Sequence, residues 1–272
     1  MKITTLVENY SECELKPEWG LALFIEYQGK TFLLDTGCSK RFIENANFLN
    51  VDLTKVDYAV LSHAHFDHAY GMKYFFRMNS TTNFYLRSGS LENCYSQDGH
   101  FRKYIGIRKG TLRKYKNRII MADNDYQVCP GVWLIPHKTP NLDELGKASH
   151  MTVKINGKHY PDSFSHEQSL VFETSNGLVI FNSCSHGGAD NIINEVQMTF
   201  PDKEIYAYVG GFHTFRKSEE YILEFAARLD KTGIPVIYTG HCTGQKSYAI
   251  LKSVLGNRIQ KITTGTVFQL SD

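Results

Sequence analysis

The chain has no long apolar run, no closely paired cysteines and no excess of either charge. Across 272 residues, Lys and Arg total 30 and Asp and Glu total 28, a formal net charge of +2. That balance gives no electrostatic footprint for a nucleic-acid backbone or an anionic bilayer, and neither is expected as a partner. No stretch approaches the about 20 apolar residues that a membrane span needs. There is no signal-peptide pattern either, because Glu8 and Asn9 interrupt the first apolar stretch too early. The expected compartment is therefore the cytoplasm. Six cysteines (Cys13, Cys38, Cys94, Cys129, Cys184 and Cys242) are scattered without a Cys-x-x-Cys pair. In a reducing compartment they read as free thiols. Low-complexity segments and periodic repeats are lacking. So are a Gly-x-x-x-x-Gly-Lys phosphate loop and a Gly-x-Ser-x-Gly nucleophile elbow. The Gly-Gly pairs at 187–188 and 210–211 carry no dinucleotide fingerprint and read as tight turns.

What is present is concentrated at one place. His63-Ala64-His65-Phe66-Asp67-His68 follows the apolar run Tyr58-Ala59-Val60-Leu61, which reads as a short buried strand. Imidazoles and a carboxylate thus crowd a strand end, with Gly71 closing the turn. These groups are the usual ligands of zinc and related first-row metals. A core would have to satisfy every ring nitrogen, and a surface has no need of three histidines. The i, i+2 spacing of His63 and His65 suits an extended segment, where alternate side chains share a face.

A length of 272 residues suits a single α/β domain with a substantial core. Apolar runs at 21–27 and 30–35 flank Gln28-Gly29, a hairpin signal. A helix is expected over 40–49 and another over about 70–78. Strands at 169–173 and 178–181 flank the turn signal Asn176-Gly177. A βαβα rhythm then follows: helix 190–200, strand 205–209, helix 218–229 capped by Ser218, strand 236–238, helix 247–255 and a last strand within 261–270. The segment from about 85 to 166 is different, with short irregular apolar runs among Lys, Arg, Tyr and Gly. It reads as an insertion or lid. Its Tyr95, Phe101, Tyr104, Tyr115, Tyr126 and Trp133 are interleaved with Arg102, Lys103, Arg108, Lys109, Arg113 and Lys114. Such a mixture suits a planar anionic small molecule. It suits a homodimer interface nearly as well.

The His-x-His-x-Asp-His pattern resembles the signature of the metallo-β-lactamase superfamily. Further blocks occur in that superfamily's order: Leu33-Leu34-Asp35-Thr36-Gly37, Phe181-Asn182-Ser183-Cys184-Ser185-His186, Val209-Gly210-Gly211-Phe212-His213 and Thr239-Gly240-His241-Cys242-Thr243-Gly244. The last three resemble a branch of metal-dependent hydrolases related to the dihydropterin ribofuranosyl-aminobenzene phosphate synthases. The resemblance implies an αββα sandwich, two mixed sheets packed face to face with helices outside. It implies two divalent metal ions, zinc first, with manganese or iron as alternatives. His63, His65 and His186 would hold the first metal, and Asp67, His68 and His241 the second. Asp35 would orient a ligand imidazole without itself ligating; a structural turn capped by Asp35 and Thr36 is the competing reading.

Many members of the superfamily carry a metal-bridging Asp or Cys between the last two ligand histidines. The matching stretch, Gly210-Gly211-Phe212-His213, has no carboxylate. His213 therefore has several open roles: metal ligand, substrate contact, proton shuttle or structural residue. Cys184 shares a face with His186 if the segment is extended, so it either reaches the site or is a buried inert thiol. The implied activity is hydrolysis of an ester, lactone or phosphoester by a metal-activated water, with Asp67 orienting that water and His213 donating to an oxyanion or leaving group. A transferase acting on a phosphorylated ribosyl or pterin-type substrate is the alternative, and a non-catalytic sensor the third.

Overall fold

The first sheet is built from strands that alternate in their burial partners. The computed structural model describes residues 1–271. In the strand Ala22–Tyr27, Leu23 and Ile25 face one hydrophobic cluster and Ala22 and Phe24 another. A period of two with both faces apolar requires cover on both sides. One side is a second sheet: Leu23, Ile25, Phe32 and Leu34 pack against Leu134, Leu170, Phe172 and Phe181. The other side is covered by the helices Arg41–Phe48 and Met72–Met78, through Phe42, Ala46, Met72 and Phe75.

Each main sheet has seven strands. The first runs, edge to edge, Val267–Gln269, Lys2–Val7, Ala22–Tyr27, Lys30–Leu34, Tyr58–Val60, Phe84–Arg87 and Ile119–Ala122. The second runs Ile259–Lys261, Val236–Thr239, Ile205–Val209, Gly177–Phe181, Gln168–Thr174, Val132–Pro136 and Tyr126–Cys129. Both mix parallel and antiparallel pairs. The outer face of the second is covered by the helices Ala189–Thr199, Glu219–Lys231 and Gln245–Leu255. The molecule is an αββα sandwich.

Local expectations agree closely with these elements. Ser218 caps its helix by accepting from the Tyr221 amide at 3.2 Å. The hairpin turns fall at Gln28-Gly29 and Ser175-Asn176, with Gly177 already paired to Thr174.

The segment 85–166 departs from the expected contiguous insertion. Four of its stretches, Tyr85–Arg87, Ile119–Ala122, Tyr126–Cys129 and Val132–Pro136, belong to strands of the two main sheets. The remainder forms a separate four-stranded antiparallel sheet, ordered Lys158–Pro161, Met151–Ile155, Cys94–Asp98 and Phe101–Tyr104. The reason is physical. Strands of four or five residues carry too few positions for a readable period, and the Phe84–Ile119 parallel pairing is set by partners far apart in the chain.

The aromatic residues of this segment divide in the same way. Tyr115 stacks on Phe76, and Trp133 packs on Phe200 and donates to Glu173 at 2.6 Å. Tyr126 packs between the sheets, while Phe101 is 84% exposed. They do not form one surface.

Candidate metal centre

The strand Tyr58–Val60 ends at Leu61, and the chain then turns into the single helical turn Phe66–Ala69. His63 and His65 precede that turn; Asp67 and His68 lie in it. His186 follows the strand Gly177–Phe181, and His241 follows Val236–Thr239. All of these side chains converge at the ends of parallel strands, the usual place for a site in an open α/β sheet. Each of the histidines is buried.

Two adjoining donor sets result. His63, His65 and His186 bring ligand atoms within 4.8 Å of one another, and His65 Nδ1 stands 3.1 Å from His186 Nε2. In the second set, His68 Nε2 is 3.2 Å from His241 Nε2. Asp67 Oδ2 is 3.9 Å from the former and 3.6 Å from the latter. Four donors around one ion at bond lengths of about 2.0–2.3 Å stand roughly 3.3–3.8 Å apart, so this spacing suits a cation. The His63 and His68 rings, 4.2 Å between centroids, join the two sets.

The ring nitrogens support the same conclusion. His63 Nε2, His65 Nε2 and His186 Nδ1 are buried without a hydrogen-bond partner. Orphaned buried imidazole nitrogens are costly unless a ligand or ion uses the rings. Burial pushes His63, His65 and His186 well below the ordinary histidine range and takes His241 down to about 3. These rings are therefore neutral, the form that binds metal.

His68 is the exception. Burial opposes its charge, but the Asp35 and Asp67 carboxylates raise it to about 9. Its Nδ1–H faces Asp35 Oδ2 at 2.7 Å, and His241 Nδ1–H faces Asn9 Oδ1 at 2.9 Å. With those protons so placed, both facing Nε2 atoms present lone pairs. Positive charge, a proton or a cation, is needed between them.

Asp35 does not reach the donor sets. It is fully buried and saturated, accepting from the Ser62 amide (2.8 Å) and from the hydroxyls of Ser62 (2.7 Å) and Ser183 (2.6 Å) as well as from His68. A carboxylate so placed orients the imidazole.

His213 is half-buried, its ring 4.3 Å from that of His186, and its Nδ1 has no partner. Gly210, at φ 148°, and Gly211 bring this loop against the strand ends; a Cβ at Gly211 would stand 2.5 Å from Cys242 Sγ. Asp35, Ser185, His213 and His241 all take left-handed backbone angles, φ between 50° and 62°. Each such residue costs roughly 1–3 kcal/mol and is held by its surroundings, a pattern that clusters at functional sites.

Several supporting residues carry no motif. Glu8 accepts from the His241 amide and Asn9 from the His241 ring. Burial raises Glu8 to about 7. Glu167 accepts from the His186 and Gly187 amides, each at 2.9 Å, and faces His137 Nε2 at 2.6 Å. His166 accepts from the Ala64 amide and pairs with Asp162 at 3.1 Å. Trp19 donates to Asp67 Oδ2 at 2.9 Å. Nothing local in the sequence marks these residues, since apart from the Asp162–His166 pair they are positioned by contacts across long separations. Of the third sheet's surroundings, Ile105 and Gly106 adjoin the metal loop: the Phe66 amide donates to the Ile105 carbonyl at 2.8 Å, and His65 bridges to Gly106. Arg108 and Lys109 are exposed.

The family model for the metallo-beta-lactamase superfamily matches residues 18–165. The chain belongs to that superfamily. It is 25% identical over 286 residues to 7,8-dihydropterin-6-methyl-4-(beta-D-ribofuranosyl)-aminobenzene-5'-phosphate synthase of Methanocaldococcus jannaschii, covering 99% of this chain and 96% of that one. A second, uncharacterized protein of the same organism is 26% identical, covering 93% and 94%. Among solved structures, Tm1679, described as a metal-dependent hydrolase of the beta-lactamase superfamily, superposes with a TM-score of 0.85 at 27% identity over the full length of both chains. The fold protein YhfI from Bacillus subtilis superposes with a TM-score of 0.60 at 13% identity. Proteins of this fold bind metal ions. No helix among the described residues is long and apolar enough to cross a membrane.

Proposed function

We propose that this protein is a dinuclear metal-dependent hydrolase of a small ester, lactone or phosphoester. The single observation that carries the proposal is the pair of adjoining, buried donor sets, whose facing ring nitrogens stand 3.1 Å apart in one and 3.2 Å apart in the other. His63, His65 and His186 would hold one ion, and Asp67, His68 and His241 the other. When bound, divalent metals supply an acidified water and polarise the substrate's carbonyl or phosphoryl oxygen. The chain's own groups do the rest. Asp67, steadied by the Trp19 indole N–H, orients the attacking water and accepts its proton. His213, its ring 4.3 Å from that of His186, donates to the developing oxyanion or leaving group. Zinc suits the imidazole-rich donors best, with manganese or iron as alternatives.

A transferase is the second reading, favoured by the synthase that is similar over 99% of this chain. The open edge of the site supports it too. Rings run from His213 through Phe215 and Trp19 to His241, with centroids 5.4, 5.4 and 5.3 Å apart, and Trp19 and Phe215 are 43% and 36% exposed. Such an arc suits a planar ring.

The test is metal analysis of the purified protein coupled to turnover of phosphodiester, phosphomonoester, lactone and thioester substrates. Two equivalents of metal and turnover of one substrate with water support the hydrolase. An absolute need for two organic substrates supports the transferase. Tight binding without product would leave a sensor.

A further inference from the structure

The donor sets are short of negative charge. Bound to a metal through an unprotonated nitrogen, the imidazoles of His63, His65, His68, His186 and His241 would bring no charge, so Asp67 would be the only anion among the donors. Two divalent cations would then retain roughly +3 in a buried site, a severe electrostatic cost.

One further group stands between the sets. Cys184 is buried, 3% exposed. Its Sγ lies within 4.8 Å of a ring nitrogen of each of His63, His68, His186, His213 and His241. It is 3.3 Å from His68 Nε2, the nitrogen that also faces His241 Nε2. Two other sulfurs lie nearby: Cys94 Sγ is within 4.8 Å of a ring nitrogen of His65, and Cys242 Sγ is within 4.8 Å of one of His241 and faces the His213 amide (3.3 Å) and the carbonyls of Cys184 and Ser183. Ser183 and Ser185, on either side of Cys184, are bonded away from the donors, to Asp35 and to Tyr208 and Gly211 respectively. The strand end is thereby fixed with Cys184 and His186 directed to one side.

We propose that Cys184 is a metal ligand, its thiolate shared between the two metal positions. The inference rests on the two-metal reading above and adds the anion that reading lacks. Sulfur is a good zinc donor at about 2.3 Å, and a coordinated thiol is deprotonated outright. Binding forms the metal–sulfur bonds and releases the thiol proton to solvent, lowering the residual charge from roughly +3 to +2. A shared thiolate also narrows the choice of metal, since sulfur favours zinc over manganese.

The full-length protein, stripped of metal and reloaded with Co(II), tests this without an activity assay. We expect about two equivalents bound and an intense near-ultraviolet thiolate-to-cobalt charge-transfer band. Cys184→Ser should abolish the band, and Cys242→Ser should keep it, with circular dichroism confirming that both variants fold. X-ray absorption of the zinc-loaded wild type and of Cys242→Ser should both show sulfur at about 2.3 Å, which keeps the assignment testable even if Cys184→Ser does not fold. Two bound equivalents with only nitrogen and oxygen neighbours would overturn the Cys184 assignment and leave the two-metal reading standing. A band lost in Cys242→Ser but kept in Cys184→Ser would overturn it in favour of the other sulfur. Sulfur ligation with saturation at one equivalent would overturn the sharing, and failure to bind any metal would remove both readings.

Discussion

Asp35 and His68 are joined by a buried contact of 2.7 Å, carboxylate Oδ2 to ring Nδ1, across 33 residues of sequence. The contact fixes the His68 tautomer and directs Nε2 at His241. Asp35→Asn keeps the shape but removes the charge and sets an amide N–H₂ against donors from Ser62, Ser183 and His68. Metal affinity should fall about 10–100-fold. Stability of the metal-free protein should fall by about 3 kcal/mol, the cost of breaking a buried charged network. Chelator competition and urea unfolding measure the two effects. Unchanged affinity would show that His68 needs no orientation from Asp35.

His63→Ala should abolish turnover and remove about one equivalent of metal while the metal-free chain still unfolds cooperatively. The inter-sheet core and the two helix-covered faces do not include His63, and a core of this size folds without a metal staple. Elemental analysis and calorimetry read the two halves of the prediction. A broad, non-cooperative transition would mean that the cluster holds the fold.

His213→Gln should lower kcat by about 10²–10³, roughly 3–4 kcal/mol, as expected for loss of a donor to a developing oxyanion. Metal content should stay at the wild-type level. A parallel loss of metal would make His213 a ligand instead, as its contact with His186 also permits.

His137 offers a pH signature away from the donor sets. Its ring lies between Glu167 (2.6 Å) and Glu195 (3.0 Å). Burial opposes its charge, but these carboxylates raise it to about 9, against an ordinary value of 6.5. A raised folded value means that the stabilisation is full below about pH 6.5. It declines as the pH rises and is lost once the folded ring deprotonates near 9. The metal-free protein should lose about 2–3 kcal/mol between pH 6.5 and 10 from this group. His137→Gln should flatten that part of the profile. An equally steep fall in the variant would assign the loss to other groups.

Where local chemistry suffices, the elements were legible in advance. The Ser218 cap, the alternation at 22–27 and the hairpin at Gln28-Gly29 depend only on neighbours a few residues away. The six-residue motif was legible for a related reason: His63, His65, Asp67 and His68 are near in space because they are near in sequence. The supports of His241 were not. Glu8 and Asn9 interrupt an apolar stretch in the sequence, yet Glu8 holds the backbone amide and Asn9 the ring of His241, more than 230 positions away. The division of segment 85–166 among three sheets is not legible in the sequence, because strands of four or five residues show no clear period and take their character from distant partners.

The sequence by itself determined the local strands, helices and turns, and its resemblance to the superfamily implied the αββα class and named the candidate donors in order, since periodicity and motif are properties of residue type and spacing. Only the tertiary structure decided what those donors face. It brought Asp35 to His68, divided the aromatic residues of 85–166 among separate layers, and set Cys184 Sγ 3.3 Å from His68 Nε2. Those outcomes depend on parallel strand pairing and on left-handed turns at Ser185, His213 and His241. Such turns are strained conformations that non-glycine residues adopt only when long-range packing enforces them.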